Sequence, residues 1–248
     1  MALYDFSAPR LFVDAPLGEG ARVTLDRAQA NYLLNVLRLR TGGDVLVFNG
    51  RDGEWRAALA GEGRKSADLE AIERTRPQTP PGDLLYLFAP LKHARLDYMV
   101  QKAVEMGAGA LKPVFTARTQ ASRVNLDRMR ANAVEAAEQC GILAIPAVLP
   151  DEPFAAALSS LESDRLVVFC DEEAPVSDPV RALEQAGAGG ARLAVVVGPE
   201  GGFTGEERAL VLGRANLVRV SLGPRVLRAD TAAVAVLALV QAALGDWR

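Results

Sequence analysis

The chain has 248 residues, of which 50% are hydrophobic and 24% are charged, and its formal net charge is −3. This length suits one large domain or two small ones, and the slight negative charge excludes a global attraction to nucleic acid, so that any such contact must come from local basic patches. His93 is the only histidine and the two cysteines have no CxxC spacing, which excludes a metal site built on several histidines and a structural zinc site of the CxxC type.

These features also indicate where the protein resides. Two widely spaced cysteines, Cys140 and Cys170, are typical of a reducing cytoplasm. The N-terminus has no signal pattern, and the longest charge-free stretch, Thr231–Gly245, is too short to span a bilayer. We therefore expect a cytoplasmic protein with no membrane partner and no metal.

The N-terminal part of the chain predicts small β structure. Asp26 is expected to cap a helix that runs to about Arg40. A hairpin is predicted around Gly50–Gly53, where two apolar runs flank a glycine turn. The predicted strands are Arg10–Val13, Ala21–Leu25, Val45–Asn49, Glu54–Leu59 and Ala67–Arg74. Several short strands and one helix in about 75 residues indicate a small barrel.

A domain boundary is predicted at Arg76–Gly82, where three prolines and one glycine fall within seven residues. After this segment, short apolar runs alternate with helical patterns, which is typical of an α/β domain with a parallel sheet. The predicted organisation is a β domain at residues 1–75, a linker at 76–82 and an α/β domain at 83–248.

The elements of the second domain follow from these patterns. The predicted strands are Leu84–Pro90, Leu111–Thr116, Leu166–Cys170, Leu193–Val197 and Leu217–Leu222. The predicted helices are Leu96–Met106, Leu126–Gln139, Pro179–Ala186, Glu206–Ala215 and Thr231–Leu244. The last helix is apolar on all sides from Ala232 to Leu239, which indicates burial on every side, either within the monomer or against a partner subunit.

Two predicted strands stop in glycine loops. Gly198–Gly202 (GPEGG) follows the first and lacks both the Lys-Ser/Thr of a phosphate loop and the GxGxxG of a dinucleotide site. Gly223-Pro224 follows the second. Ligands of open α/β sheets bind at the carboxyl ends of the strands, so two such loops predict one shared pocket, although a simple turn is an alternative for each.

The second loop carries two arginines, Arg225 and Arg228, and opens the last helix near Asp230. A cation beside a glycine-lined pocket suits a phosphate or a negative charge that develops on a substrate oxygen. Asp230 is interpreted either as the N-cap of the helix or as a functional carboxylate. Two basic clusters, one around Lys92 and Arg95 and one around Arg118 and Arg123, are either solvated faces or contacts to a nucleic-acid backbone.

In this order, the motifs resemble those of the ribosomal RNA small subunit methyltransferase E family, within the SPOUT superfamily. The matching segments span nearly the whole chain: Arg10-Leu11-Phe12, Leu34–Arg38, Gln101–Gly107, Pro113–Thr116, Ala136–Gly141, Gly198–Gly202 and Leu222–Thr231. Two positions depart from the family pattern, because Ile142 stands where an arginine is usual and Asp230 replaces a more common glutamate.

The resemblance implies a PUA-like RNA-binding β-barrel at residues 1–75 and a SPOUT domain whose C-terminal segment forms a trefoil knot. It implies S-adenosylmethionine as the cofactor, a homodimer, and methylation of N3 of a uridine in 16S ribosomal RNA, either naked or in the 30S subunit. Two alternatives stay open: a related SPOUT methyltransferase that acts on a base or ribose 2′-OH of transfer RNA, and a non-catalytic RNA-binding assembly factor.

Site residues follow from this reading. Arg228 is expected to stabilise charge on the uracil oxygens, while Asp230 or Glu200 accepts the N3 proton. Three strand ends are expected to hold the cofactor, the first mainly on the basis of its position: Phe169, Cys170, Asp171 and Glu172; Val197, Gly198, Pro199, Glu200, Gly201 and Gly202; and Ser221, Leu222, Gly223, Pro224, Arg225, Val226 and Leu227. The expected RNA contacts are Arg10, Arg38, Arg40, Lys92, Arg95, Arg118 and Arg123.

Overall fold

A computed structural model describes residues 8–62, 67–92, 94–175, 178–187 and 192–247. His93, the single histidine, lies outside these ranges. The chain forms two compact units. The first contains the described residues as far as Pro80 together with Ala137–Ile145, and the second contains Pro81–Ala136 and the described residues from Pro146 onward.

The first unit is built on a five-stranded sheet in the order β1-β3-β4-β5-β2. Its strands are β1 (Arg10–Phe12), β2 (Arg22–Thr24), β3 (Asp44–Phe48), β4 (Glu54–Glu62) and β5 (Ala67–Arg76). All neighbouring pairs are antiparallel except β1 and β3. Val45, Val47 and Leu69 are fully buried on the core face. The predicted small β domain and its hairpin are confirmed.

The predicted helix in this unit is shorter than expected. Asp26 caps α1 (Arg27–Asn31) in a capping box with Gln29, as predicted. The α-helix then continues as a wider π-helix, Tyr32–Val36. Arg38 adopts a left-handed conformation with a φ of 55°. A left-handed residue ends a helix, which explains why the helix does not reach Arg40.

A buried carboxylate organises the edge of this unit. Glu54 accepts hydrogen bonds from Arg10 Nε at 2.7 Å and from Arg76 Nη2 at 2.6 Å. Arg76 also donates to the carbonyl oxygen of Gly141 at 3.0 Å, which fixes the segment 137–145. Burial alone would raise the pKa of Glu54, but the hydrogen bonds from Arg76, Arg10 and Thr75 outweigh it and hold the pKa below its ordinary value.

Replacing Glu54 by glutamine is expected to lower the free energy of unfolding by about 3–5 kcal/mol, because two guanidinium groups lose a buried partner. Glu73→Gln is the control, since Glu73 pairs with Arg56 on the surface and such pairs contribute under about 1 kcal/mol. The folded pKa of Glu54 is depressed, so its contribution is complete above the ordinary pKa of 4.5 and is lost as the pH falls through the folded pKa. Urea denaturation at pH 7 and pH 4 measures both effects. Equal losses in the two variants would contradict the prediction.

The second unit contains a seven-stranded sheet in the order β12-β10-β11-β6-β7-β8, with β9 paired to β7. Every strand pair is parallel, which confirms the predicted α/β class. The strands are β6 (Leu84–Phe88), β7 (Ala110–Phe115), β8 (Ala147–Val148), β9 (Glu152–Pro153), β10 (Leu166–Cys170), β11 (Leu193–Val197) and β12 (Leu217–Val220). The trefoil knot stays a prediction.

Six helices accompany this sheet in the described residues. They are α2 (Ala94–Glu105), α3 (Leu126–Cys140), α4 (Phe154–Ser160), α5 (Pro179–Ala186), α6 (Gly205–Leu212) and α7 (Ala229–Leu244). The sequence patterns missed α4, β8 and β9, because an element of two or seven residues is too short to show a period.

The helix α7 packs against α2, α5 and β11. Val236, Leu237 and Val240 are fully buried there, and buried Gln241 donates to the carbonyl oxygen of Met106 at 2.8 Å. Burial is not complete on every side, since a stripe that includes Ala238 remains only half-buried.

Candidate functional site

A cavity of about 1390 Å³ lies at the carboxyl ends of β10, β11 and β12. Three segments line it: the first follows β10, the second follows β11 and the third follows β12. All of the residues predicted to hold a cofactor are among the lining residues. The structure therefore brings the two glycine loops to one pocket, as expected from the parallel order of the strands.

The second segment is the glycine loop after β11. The strand is entirely buried, and the loop turns back through a hydrogen bond from Gly202 N to Pro199 O at 2.8 Å. Thr204 then caps α6 in a capping box with Glu207. Arg118 donates from Nη1 to the carbonyl oxygen of Gly201 at 2.7 Å, so one predicted RNA contact also holds the cavity wall.

The third segment follows β12 without regular structure. Gly223 has a φ of 97°, a conformation that side-chain-bearing residues rarely adopt. Val226 is 82% exposed although it is apolar, and it lines the cavity next to Leu227. Val226 and Leu227 thus give this wall of the cavity an apolar surface.

The first segment presents Cys170 and Asp171. Burial raises the pKa of the Cys170 thiol to about 12, so the thiol stays protonated at neutral pH and is a poor nucleophile. Asp171 accepts hydrogen bonds from Arg219 Nε at 2.7 Å and Arg208 Nη2 at 3.0 Å. Burial acts against ionisation of Asp171, but these donors and the backbone N–H of Glu173 keep its pKa below the usual value.

Sequence reasoning missed a further part of the wall. Small side chains of α7 line the cavity at helical spacing, and this recurrence within an otherwise apolar helix was the available signal. The missed residues are Arg118 as a wall residue, Glu173, Pro179, Phe203, Arg208, Val220, Ala229, Ala232, Ala235, Ala238, Leu239, Ala242 and Trp247.

The predicted catalytic residues differ in placement. Glu200 lines the cavity, whereas Arg228 and Asp230 are not among the lining residues. Arg228 is the N-cap residue of α7, and Asp230 lies in its first turn. The interpretation of Asp230 as the N-cap was therefore wrong, because the helix begins at Ala229, two residues earlier than an N-cap at Asp230 would require.

Arg95 connects the two acidic residues. It donates to Asp230 from Nε at 2.9 Å and from Nη2 at 3.0 Å, and its Nη1 pairs with Glu200. The hydrogen bonds from Arg95 lower the pKa of Asp230, against a smaller effect of burial, and the N–H of Thr231 adds to the shift. Asp230 is thus ionised at neutral pH and is a weak base.

The predicted RNA contacts fall into three groups. Arg10 is buried and paired with Glu54, which argues against a contact to RNA. Arg95 is engaged by Glu200 and Asp230. The remaining arginines and Lys92 are exposed, and none of them forms an ion pair within the described ranges: Arg38, Arg40, Lys92, Arg118 and Arg123.

Ile142 occupies a position where an arginine was expected. Ile142 packs against the apolar cluster of Phe48, Ala137 and Leu143, so it replaces a cation with a hydrophobic contact. Among the described residues, no three His, Cys, Asp or Glu side chains cluster as a metal site would require. In the same ranges, no helix is both long and apolar enough to cross a membrane.

Two domain families match the chain. An RNA methyltransferase domain matches residues 78–241, and an RNA methyltransferase PUA domain matches residues 25–72. The parallel sheet with its strand-end cavity and the small β unit are therefore those of an RNA methyltransferase with a PUA domain. A relative from Synechocystis sp., named ribosomal RNA small subunit methyltransferase E, is 32% identical over 90% of this chain and 74% of its own length. The chain belongs to the ribosomal RNA small subunit methyltransferase E family.

Two further proteins with the same name, and one described as a methyltransferase, are also similar to this chain. A relative from Rickettsia conorii is 26% identical over 94% of both chains. The crystal structure of the Neisseria gonorrhoeae protein, bound to S-adenosyl methionine, is 27% identical with a TM-score of 0.83 and covers 97% of this chain and 100% of its own. A Legionella pneumophila methyltransferase in complex with the same cofactor is 25% identical, with a TM-score of 0.83 and coverages of 96% and 99%.

Proposed function

We propose that this protein transfers the methyl group of S-adenosylmethionine to N3 of a uridine in 16S ribosomal RNA of the small subunit. The observation that carries the proposal is the convergence of three strand-end segments on one cavity, inside the part of the chain that matches the RNA methyltransferase domain. The names of the relatives and the cofactor in the Neisseria gonorrhoeae structure support it.

The residues of the cavity suit this cofactor. Its volume exceeds what a drug-sized ligand needs. Glycine loops expose backbone groups to an adenine and a ribose, and the apolar side chains of Leu222, Val226 and Leu227 suit a ring. Glu200 and Glu172 place carboxylates at the wall, which suits a positively charged ligand.

The cofactor supplies a methyl group on a positively charged sulfonium. The protein must orient the uracil and manage the N3 proton. Arg228 stabilises the negative charge that spreads to the uracil oxygens when that proton leaves. Glu200 is the better placed proton acceptor, because it lines the cavity and is bound by one Arg95 nitrogen, whereas Asp230 is bound by two and has a lowered pKa.

We assign RNA binding to the β domain at residues 1–75, joined by the linker 76–82 to the methyltransferase domain at 83–248. Arg38→Ala is expected to weaken RNA binding and to reduce the slope of log affinity against log salt by about one, because one phosphate contact is lost. Arg22→Ala is the control, since Arg22 pairs with Glu70. Fluorescence anisotropy with an rRNA fragment from 50 to 200 mM salt measures this. An unchanged slope for Arg38→Ala would contradict the assignment.

We further propose that the protein is a homodimer. Support comes from the half-buried stripe of α7 that includes Ala238 and Leu239, and from exposed Trp247 beside it. A partner subunit would cover this apolar surface, which continues the cofactor cavity. A monomer mass in sedimentation velocity at micromolar concentration would contradict the dimer.

Calorimetry with S-adenosylmethionine, followed by mass mapping of modified nucleotides in a strain that lacks the protein, tests the function. We expect micromolar or tighter binding, and loss of one methyl group from a uridine base of 16S rRNA. Absence of cofactor binding would favour the assembly factor. Loss of a methyl group from transfer RNA would favour the related SPOUT enzyme.

A further inference from the structure

One arginine ties together two parts of the candidate site that are far apart in sequence. Arg95 lies in the first turn of α2 and is 35% exposed at its side chain. Its guanidinium contacts Asp230 through two nitrogens, at 2.9 and 3.0 Å, and Glu200 through the third. Glu200 belongs to the glycine loop after β11, and Asp230 to the first turn of α7.

We infer that Arg95 is a positioning residue that holds the glycine loop and the start of α7 in register around the bound cofactor. The inference rests on the proposed function and assigns Arg95 a different task from the RNA contact expected from sequence. Arg95 acts through the cavity walls, which include the proposed proton acceptor Glu200, and does not itself contact the RNA.

The geometry supports a positioning task. A guanidinium presents its N–H donors in a rigid plane, so two bonds to one carboxylate and one to another fix both carboxylates relative to α2. Asp230 is only 16% exposed at its side chain, which limits the screening of this contact by solvent. Three of the five N–H donors bond to two carboxylates, which already neutralise the charge of the guanidinium and weaken its attraction for a phosphate.

The two anchored segments carry the residues that matter most for the reaction. The loop that Glu200 belongs to supplies the cavity wall from Gly198 to Gly202. Asp230 is two residues from Arg228 and follows Ala229, which lines the cavity. Without Arg95, two carboxylates would share a site with no cation between them, and their repulsion would separate the walls.

Arg192 offers a matched control. It also bridges two carboxylates, with Nε 2.9 Å from Asp83 and Nη2 2.8 Å from Glu162, and its side chain is 44% exposed. It immediately precedes the N-terminal end of β11, at the opposite edge of the sheet from the cavity. Replacing Arg192 removes a comparable ion-pair network, and none of its three residues lines the cofactor cavity.

The experiment measures cofactor affinity by calorimetry in the absence of RNA, for the wild type, Arg95→Ala, Arg95→Lys and Arg192→Ala, with thermal melting to verify folding. We expect the Kd of S-adenosylmethionine to rise at least tenfold in Arg95→Ala and to change less than twofold in Arg192→Ala. Arg95→Lys should recover only part of the affinity, because an ammonium group keeps the charge but not the planar fork.

Steady-state kinetics distinguishes a positioning role of Arg95 from a direct contact of Arg95 with RNA. A positioning residue predicts a lower kcat and an unchanged KM for RNA, whereas an RNA contact predicts a raised KM for RNA and an unchanged Kd for the cofactor. Asp230→Asn should reduce the effect of the Arg95→Ala change, because the two residues act through one contact. Unchanged cofactor affinity in folded Arg95→Ala would overturn the inference. Failure of the wild type to bind the cofactor would instead overturn the proposed function.

Discussion

Replacing Arg228 by alanine is expected to lower kcat for methyl transfer by two to three orders of magnitude, about 2.7–4 kcal/mol, while the Kd of S-adenosylmethionine changes less than threefold. Arg228 is exposed at the N-cap of α7, and within the described residues it has no ion-pair partner. Its charge is therefore available to a substrate. Because it is not among the residues that line the cavity, its loss should leave the cofactor in place.

Arg225→Ala is the matched comparison. Arg225 is an exposed arginine of the same loop, but it lines the cavity. We expect its replacement to raise the Kd of the cofactor and to leave kcat at saturating cofactor close to that of the wild type. Calorimetry and single-turnover methylation of an RNA fragment measure the two quantities. The reverse pattern would assign the catalytic charge to Arg225.

Much of the α/β domain was predictable because its strands are buried on both faces. Leu166–Cys170 and Leu193–Val197 were predicted with the bounds that the structure shows, since a short, uninterrupted apolar run rich in valine is typical of a strand buried on both faces. The same reasoning places their carboxyl ends at one edge of the sheet. The meeting of the two glycine loops at one cavity followed from that topology, whereas the cofactor itself was implied by the family resemblance.

The individual charges were harder to predict, because their roles depend on contacts between distant parts of the chain. Arg10 and Arg95 were both expected to contact RNA. Arg10 instead pairs with Glu54 at a separation of 44 residues, and Arg95 with Asp230 at a separation of 135. No local pattern distinguishes a cation that faces a phosphate from one that faces a distant carboxylate.

The π-helix shows a different limit. An apolar stripe that includes Leu33 and Leu37 predicts a continuous helix, and the α- and π-helical turns satisfy nearly the same spacing over one turn. Leu33 is fully buried as expected, whereas Val36 is 62% exposed. The widened turn thus moves apolar side chains to the surface just before Arg38, next to the proposed RNA contacts.

A methyl group added to the glycine loop at Gly198 should disturb the cofactor site strongly. A Cβ at Gly198 would lie 2.5 Å from Cε2 of Phe203. That ring cannot retreat easily, because its centroid lies 5.0 Å from Phe154 and 5.2 Å from Phe169 in the apolar core. The loop itself must therefore move, and it forms one wall of the cavity.

Gly198→Ala is accordingly expected to destabilise the protein by about 1–3 kcal/mol and to raise the Kd of S-adenosylmethionine at least tenfold. Gly205→Ala is the control, because Gly205 begins α6 and a Cβ there meets nothing within 4 Å. This control should be neutral or more stable by up to about 1 kcal/mol, since alanine restricts the unfolded chain. Urea denaturation and calorimetry measure the two effects. Wild-type cofactor affinity in Gly198→Ala would show that the close approach of the loop to Phe203 is not needed to shape the cavity.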